Sequence, residues 1–188
     1  MILKKASKGV GLEKIVLPLV LLLSLGGCQS QPPGVSGSSK PVWSVAFSPH
    51  GGCTELVVNT LSTAKTEVLV QAYSFTSGPI AQALVDAQRR GVKVEIILDK
   101  SQRTERYSEA DFLGHAGIPV SIDAVHAIAH NKVMVIDDET VITGSFNFTK
   151  AAEEHNAENL LVLHDKELAA QYKANWQRHK EHSAPYTR

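Results

Sequence analysis

Residues 67–98 read EVLVQAYSFTSGPIAQALVDAQRRGVKVEIIL. The two ends of this stretch, residues 67–75 and 92–98, are rich in aliphatic and β-branched residues and predict strands. Between them Pro79 stands where the first turn of a helix tolerates proline, apolar residues recur at helical spacing, and Gly91 ends the helix. The order strand, helix, strand predicts an α/β fold in which helices cover a sheet and a right-handed crossover joins parallel strands.

The same patterns extend outward on both sides of this stretch. Further strands are predicted at residues 42–47, 119–122, 131–137, 141–143 and 160–163, and further helices at residues 53–64, 108–115 and 166–180. Residues 138–140 read Asp-Glu-Thr and predict a tight hairpin turn. We therefore expect one domain with a mixed β-sheet sandwiched between α-helices, and Cys53 in its core.

The composition is that of an ordinary globular protein. The chain has 188 residues, of which 43% are hydrophobic and 20% charged. These values exclude a disordered or collagen-like chain and fit one domain with additional terminal segments.

The first 40 residues predict export rather than folded structure. Four lysines precede residues 15–25, IVLPLVLLLSL, an apolar run of secretory-signal length that is short for a membrane span. Leu25-Gly26-Gly27-Cys28 resembles the bacterial lipoprotein box, which makes Cys28 the candidate lipidation site; an ordinary signal cut nearby is the alternative. We expect a signal peptide at 1–27, a flexible linker at 28–40 and a catalytic domain at 41–188, in a protein that is periplasmic and membrane-anchored, or otherwise secreted.

Removal of residues 1–27 changes the charge balance. The remainder carries 15 Lys and Arg against 18 Asp and Glu, a formal charge of −3. Proteins that coat nucleic acid are usually basic, so a DNA substrate requires a local positive cleft. With Cys28 lipidated, Cys53 is the one remaining thiol, and no intramolecular disulfide can form.

One constellation carries the chemistry. Residues 129–147, AHNKVMVIDDETVITGSFN, contain His130, Lys132 and Asp137 in the pattern H-x-K-x4-D, followed by Ser145 and Asn147. The period of two along a strand directs His130 and Lys132 to one face, where an imidazole and an ammonium together suit a phosphate. Ser145 and Asn147, also two apart, can donate hydrogen bonds to the non-bridging oxygens.

These motifs resemble the signature of the phospholipase D superfamily. The similarity extends to residues 73–76 (YSFT), 144–152 (GSFNFTKAA) and Glu158-Asn159, and covers nearly all of residues 42–176. The chain looks most like the small bacterial endonucleases of that superfamily, which carry a single copy of the motif.

The resemblance implies the phospholipase D/nuclease fold and a mechanism without metal or other cofactor. By similarity, His130 is the nucleophile that forms a phosphohistidine, and Lys132, Ser145 and Asn147 bind phosphate. Glu158 is a carboxylate that orients a histidine ring, and Asp137 has a partly structural role.

The number of suitable histidines predicts a dimer. Hydrolysis through a covalent intermediate requires a nucleophile together with a general acid, which one imidazole cannot supply at once. His164-Asp165-Lys166 repeats H-x-K, but Gln171 takes the place of the aspartate. We therefore expect the second histidine to come from a second chain, with the two His130 rings facing each other across a twofold axis.

Two other chemistries are weaker alternatives at this motif. His130 with Asp137, Asp138 and Glu139 offers metal ligands, but the Lys132 ammonium would repel a cation. Ser145 as a hydrolase nucleophile lacks the second glycine of the G-x-S-x-G turn.

Two further groups of residues have both a functional and a structural interpretation. Tyr73 and Phe75 are either core residues or a platform for stacked bases. Lys100, Arg103 and Arg106 follow a strand, either as the rim of a DNA cleft or as a solvated loop.

Three functions follow. The first is a non-specific endonuclease that cleaves DNA, with RNA as a further candidate substrate. The second is a phospholipase D or phosphatidyltransferase acting on phospholipid head groups, which the lack of any further apolar loop long enough to hold acyl chains disfavours. The third is a non-catalytic, membrane-anchored binding module, which would not require the nucleophile.

Overall fold

Residues 42–187 are the part of the chain that the computed structural model describes. Their strands are β1 (Val42–Ser48), β2 (Glu67–Ala72), β3 (Lys93–Asp99), β4 (Val120–Asp123), β5 (Lys132–Ile136), β6 (Thr140–Gly144), β7 (Glu158–His164) and β8 (Ala184–Pro185). Their helices are α1 (Cys53–Ser62), α2 (Gly78–Arg89), α3 (Ala110–His115), α4 (Lys150–Glu154) and α5 (Lys166–His182), with a 3₁₀ turn at Lys100–Arg103.

All eight strands lie in one sheet of order β1-β7-β6-β5-β2-β3-β4-β8. The predicted strand–helix–strand unit forms its centre, where β2 pairs in parallel with β3, and β3 in parallel with β4. On the other side of β2 the pairings β2–β5, β5–β6, β6–β7 and β7–β1 are antiparallel. The predicted mixed sheet is therefore confirmed.

Alternation along the strands gives the sheet two apolar faces. In β2, Val68 and Val70 pack into a large cluster to which α1, α2 and α3 contribute, whereas Leu69 packs with Trp176 of α5 on the opposite face. The Trp176 indole also donates a hydrogen bond of 2.8 Å to the Val70 carbonyl. The sheet thus lies between helices, as the sequence predicts.

Cys53, at the start of α1, is fully buried, in agreement with its predicted place in the core. Burial, together with the charge of Glu153, raises the pKa of its thiol to about 11. The thiol is therefore an unreactive core group.

The structure differs from the prediction at positions where tertiary contacts determine the conformation of the backbone. The strand predicted at residues 67–75 ends at Ala72, because the Phe75 amide bonds to the Gln102 side chain instead of a neighbouring strand. The strand predicted at residues 131–137 ends at Ile136, because Asp137 and Asp138 adopt left-handed conformations with φ of 55°. The short elements α4 and β8 were not predicted.

The signal peptide, the Cys28 lipidation site and the linker at 28–40 lie outside the described residues. Within residues 42–187, every helix falls short of the length or the hydrophobicity that crossing a bilayer requires.

Candidate active site

One edge of the sheet carries most of the motif residues. The register Ala72↔Lys132 joins the end of β2 to the start of β5, and Gly144↔Leu160 joins the end of β6 to the start of β7. Carboxyl ends of β2 and β6 therefore meet amino ends of β5 and β7 at this edge. Ligands of α/β proteins commonly bind at such carboxyl ends.

The main chain around His130 is held on both sides. The amide of Ala129 donates a 2.7 Å hydrogen bond to the buried Asp99 carboxylate, and the amide of Tyr73 donates a 2.9 Å bond to the Asn131 carbonyl. Burial alone would raise the pKa of Asp99, but hydrogen bonds from Ser101 and Ala129 hold it below its ordinary value. His130 itself is exposed, so its imidazole is accessible while the hydrogen bonds of its two neighbours fix its backbone.

Lys132 and His130 meet at one aromatic ring. The Lys132 ammonium lies 5.1 Å from the centroid of the Tyr73 ring, and the His130 ring centroid lies 4.6 Å from the same centroid. The ammonium also donates a 2.7 Å hydrogen bond to the His130 carbonyl. The structure therefore places both the imidazole and the ammonium against the Tyr73 ring.

Lys132 is only 6% exposed, and this burial affects the pKa of its ammonium. Burial lowers the pKa of this ammonium, and the negative charge of Glu158 opposes that effect. A poorly hydrated ammonium interacts strongly with an incoming anion, because less water must be removed when the anion binds.

Ser145 and Asn147 follow β6 and alternate with two fully buried phenylalanines, Phe146 and Phe148. The Ser145 oxygen accepts hydrogen bonds from the backbone and side-chain amides of Asn159, at 3.1 and 3.3 Å, so its own proton remains available to a ligand. The Asn147 amide carries a buried oxygen without a partner among residues 42–187. Two polar side chains are thus anchored beside the pocket by their apolar neighbours.

Gly144 makes this arrangement possible. Its φ is +149°, and a Cβ at this position would collide with the Asn159 carbonyl oxygen. A glycine is required for β6 and β7 to approach each other at the point where Ser145 meets Asn159.

Glu158 begins β7 and is half-buried. Its carboxylate accepts a 3.1 Å hydrogen bond from the Asn156 amide, and its charge acts on Lys132. The hydrogen bonds made by residues 42–187 of one chain do not include one from the His130 ring to Glu158.

Asp137 lies away from the pocket, in contrast to the other motif residues. It follows β5, whereas Lys132 begins it, which at about 3.3 Å per residue separates their backbones by about 16 Å. Its carboxylate accepts hydrogen bonds from the amides of Lys65, Thr66 and Glu67 at 2.8–3.0 Å. These contacts are structural, since they join β5 to the start of β2, and they fit the partly structural role that the resemblance implies for Asp137.

The same position removes the alternative of a metal ion at His130. Asp137, Asp138 and Glu139 form the turn at the far end of β5, so their carboxylates cannot share an ion with His130. Within residues 42–187, side chains with metal-ligating atoms converge elsewhere, at Asp123 and His179 together with two further histidines.

Two loops border the candidate site. The 3₁₀ turn after β3 contains Lys100 and Arg103, and the Lys100 ammonium donates a 3.0 Å hydrogen bond to the His126 carbonyl. Residues 124–131 lead into His130 and expose Val125 (67%) and Ile128 (56%). This loop is short, so it does not contradict the expectation that no further apolar loop is long enough to hold acyl chains, but it presents apolar side chains in the segment that leads into His130.

Asp99 was not predicted as a site residue. This aspartate directly follows an apolar run, where side chains at the carboxyl end of a strand often serve a site, and that position was the available signal. Its partner, the Ala129 amide, is remote in sequence, and no local pattern connects the two residues.

Known proteins resemble this chain over most of its length. A family model described as "cardiolipin synthase, PLD-like domain" matches residues 57–180. A Rickettsia conorii protein named phospholipase D is 44% identical over 154 residues, covering 82% of this chain and 77% of that protein. A dog protein named mitochondrial cardiolipin hydrolase is 29% identical over 149 residues, covering 79% of this chain and 59% of that protein.

A solved structure has the same fold. The phospholipase D family member Nuc from Salmonella typhimurium superposes with a TM-score of 0.76 at 40% identity, covering 79% of this chain and 100% of that one. The mixed sheet between helices described above is therefore a fold that this chain shares with Nuc.

Proposed function

The chain belongs to the phospholipase D superfamily and is a phosphodiesterase, and on this premise we propose that it hydrolyses DNA through a phosphohistidine on His130. The observation that carries the proposal is the arrangement around the Tyr73 ring, where an exposed imidazole and a buried ammonium meet on a fixed backbone. This arrangement offers a nucleophile beside a phosphate-binding cation.

In the proposed first step, a ring nitrogen of His130 attacks phosphorus and forms a P–N bond while the P–O bond to the leaving group breaks. The Lys132 ammonium and the donors of Ser145 and Asn147 stabilise the charge on the non-bridging oxygens. In the second step, water attacks phosphorus, the P–N bond breaks, and the DNA strand that carries the resulting phosphomonoester is released from the histidine.

A second imidazole must protonate the leaving oxygen and then accept a proton from the attacking water. We propose that it is the His130 of a second copy, related by a twofold axis. Because Glu158 makes its hydrogen bond with Asn156 of its own chain, we assign the ring that Glu158 orients to this second copy as well.

An apolar face of β1 supports the dimer. Trp43, Val45 and Phe47 project from the same side of this edge strand and are 60%, 42% and 63% exposed. Phe47 pairs with Asn159, which contacts Ser145, so this face begins at the candidate site. A second copy packed there would cover the apolar side chains and bring the two sites together.

Two features favour DNA as the substrate. The cationic side chains of Lys100, Arg103 and Arg106 follow β3 at the edge that carries His130, as expected for a local positive rim on a chain of low net charge. The Tyr73 ring also presents an aromatic surface at the site. RNA offers the same phosphates and bases and is the related candidate.

A phospholipid is the second candidate substrate. Exposed Val125 and Ile128 lie beside His130, where they can enter the apolar part of a lipid surface. The Rickettsia conorii relative bears the name phospholipase D.

The test is a paired assay of the purified protein on supercoiled plasmid DNA and on vesicles of head-group-labelled phosphatidylcholine, in excess EDTA. We expect plasmid nicking that His130→Asn abolishes and EDTA spares. His164→Asn is the matched control, because His164 also stands in an H-x-K sequence but lies at the opposite end of β7 from Glu158. This control should nick plasmid like the unmodified protein.

The other outcomes identify the alternatives. Release of the head group without nicking would assign the enzyme to phospholipids. Binding of DNA without turnover of either substrate would make the protein a binding module, and nicking that survives His130→Asn would refute the nucleophile.

A further inference from the structure

Four side chains outside the candidate active site converge on one point. Asp123 ends β4, His126 lies three residues later in the 124–131 loop, and His179 and His182 occupy the last turns of α5. Each offers one ligating atom, and these atoms all lie within 4.8 Å of one another. We infer that Asp123, His126, His179 and His182 form a structural binding site for a divalent transition-metal ion of the zinc type.

The donor set matches this chemistry. Three imidazole nitrogens and one carboxylate oxygen are ligands that Zn²⁺ accepts in a closed tetrahedral site. Calcium and magnesium prefer oxygen ligands and are disfavoured by three nitrogens.

The three distances from the Asp123 carboxylate are close to those of a tetrahedral site. The Asp123 Oδ2 atom lies 2.7 Å from the His179 Nδ1 atom, 3.1 Å from the His126 Nδ1 atom and 3.3 Å from the His182 Nε2 atom. With metal–ligand bonds of about 2.0 Å, neighbouring ligands of a tetrahedral zinc ion lie about 3.3 Å apart. All four ligating atoms lie within 4.8 Å of one another, so rotations of the histidine side chains would complete the tetrahedron.

Three imidazole nitrogens contact the same oxygen of the Asp123 carboxylate, which is more than this oxygen needs to be satisfied by hydrogen bonds. Asp123 is fully buried, and its other oxygen is contacted by the Val125 amide and His126. The Oδ2 atom of Asp123 is therefore a ligand atom that three imidazole nitrogens already surround.

The lysines near the cluster are occupied elsewhere. Lys180 lies between the two helical histidines in sequence, but its ammonium contacts the Ser121 hydroxyl at 3.0 Å and the Glu95 carboxylate at 3.1 Å. Lys100 donates to the main-chain oxygen of His126. Neither ammonium is aimed at Asp123 in these hydrogen bonds.

The site would join two segments that lie far apart in sequence. His179 and His182 come from the C-terminal end of α5, and His126 from the loop that leads into His130. A bound ion would fasten this loop to the helix and to β4. It would act on stability and loop order, while the proposed phosphohistidine chemistry at His130 would need no metal.

Zinc binding to the protein, prepared without an affinity tag and stripped with chelator, tests the inference directly. Titration calorimetry with Zn²⁺ alone should give one ion per chain. At free Zn²⁺ of 100 times the Kd, the Tm should rise by about 5–10 °C. Co²⁺ in place of Zn²⁺ should give the intense visible absorption of a tetrahedral site.

Two variants locate the site. His179→Gln and His182→Gln should each weaken Zn²⁺ binding by on the order of 100-fold, at least the cost of losing an outer partner of a ligand. His164→Gln is the control, since this exposed histidine lies outside the cluster, and it should bind like the unmodified protein. Circular dichroism of the metal-free variants verifies that they are folded, and His182, in the last turn of α5, is the substitution that perturbs packing least.

The inference is overturned if the unmodified protein takes up no stoichiometric zinc, or if both variants bind zinc as tightly as the control. His130→Asn separates this result from the proposed function: it should bind zinc normally while failing to cleave a phosphodiester.

Discussion

Asp137 is a motif residue whose contacts in the structure serve the fold. Its carboxylate accepts the amide protons of three successive residues, Lys65 to Glu67, and the hydroxyl of Thr66. These bonds fix the start of β2 against the end of β5, and hence the register that places Lys132 opposite Ala72. His130 and Asp137 therefore lie before and after β5, and their spacing in the motif corresponds to the length of this strand.

We predict that Asp137→Ala lowers the free energy of unfolding by about 2 kcal/mol, because three backbone amides at the start of β2 lose a charged acceptor. Below its unfolding transition the variant should retain most of the kcat of the unmodified protein, since the pocket around Tyr73 is remote. Urea unfolding and single-substrate kinetics measure the two quantities. A loss of kcat as complete as that of His130→Asn, in a folded variant, would place Asp137 among the catalytic residues.

The part of the site that could be predicted is the part encoded locally. His130 with Lys132, and Ser145 with Asn147, are two apart on extended chain, so the sequence alone indicates that each pair shares a face. Asp99 could not be found in the same way, because its partner belongs to another segment. The cluster of Asp123 with three histidines was not predicted for the same reason, because α5 contacts β4 only in the folded protein.

At the scale of elements, the predictions succeeded where apolar periodicity was sufficient. The strand–helix–strand unit of β2, α2 and β3 has its own pattern, whereas β8 has two residues and exists through its pairing with β4. The short helix α4 likewise depends on a side chain, since the Thr149 hydroxyl caps it at the Ala152 amide. Such elements follow from the tertiary structure and not from propensity.

The exposed face of β1 leads to a prediction about assembly. Phe47→Asp should convert the proposed dimer into a monomer, because a charge would be buried against the partner. Without the partner's imidazole we expect kcat to fall by about 10²–10⁴-fold, the usual contribution of a general acid. Sedimentation velocity at micromolar concentration and plasmid nicking measure the two effects.

Phe112→Asp is the matched control, since Phe112 is also exposed, at 42%, but lies on α3. It should leave both assembly and rate unchanged. An active monomer, in the unmodified protein or in Phe47→Asp, would contradict the shared site.

For the whole molecule, the buried and half-buried carboxylates determine the response to acid. Asp99, Asp123, Asp137 and Glu95 each have a pKa below the ordinary value: burial acts in the opposite direction, but hydrogen bonds and neighbouring lysines outweigh it. A carboxyl group whose pKa is lower in the folded state stabilises the fold above its unfolded pKa and loses this contribution as pH falls. Glu109, whose pKa burial raises, acts in the opposite sense as a single group.

We therefore predict that the free energy of unfolding is constant from pH 7 to about pH 5 and falls steadily below about pH 4, where the unfolded carboxyls become protonated. Urea midpoints measured between pH 7 and pH 3 test this, and Asp137→Ala should show a shallower decline. A midpoint that stays level down to pH 3 would contradict the assignment of these four groups.

The pairing of β1 with β7 also governs the order in which the molecule can form. Val42 lies opposite His164, so β1 finds its neighbour only after residues 158–164 have been synthesised. Closing so long a loop is slow compared with the local contacts of β2, α2 and β3, which makes β1 a late addition to a nucleus formed in the middle of the sequence. Until then the apolar side chains of Trp43 and Phe47 stand on a free segment, and a nascent or truncated chain has no complete edge on which a second copy can dock.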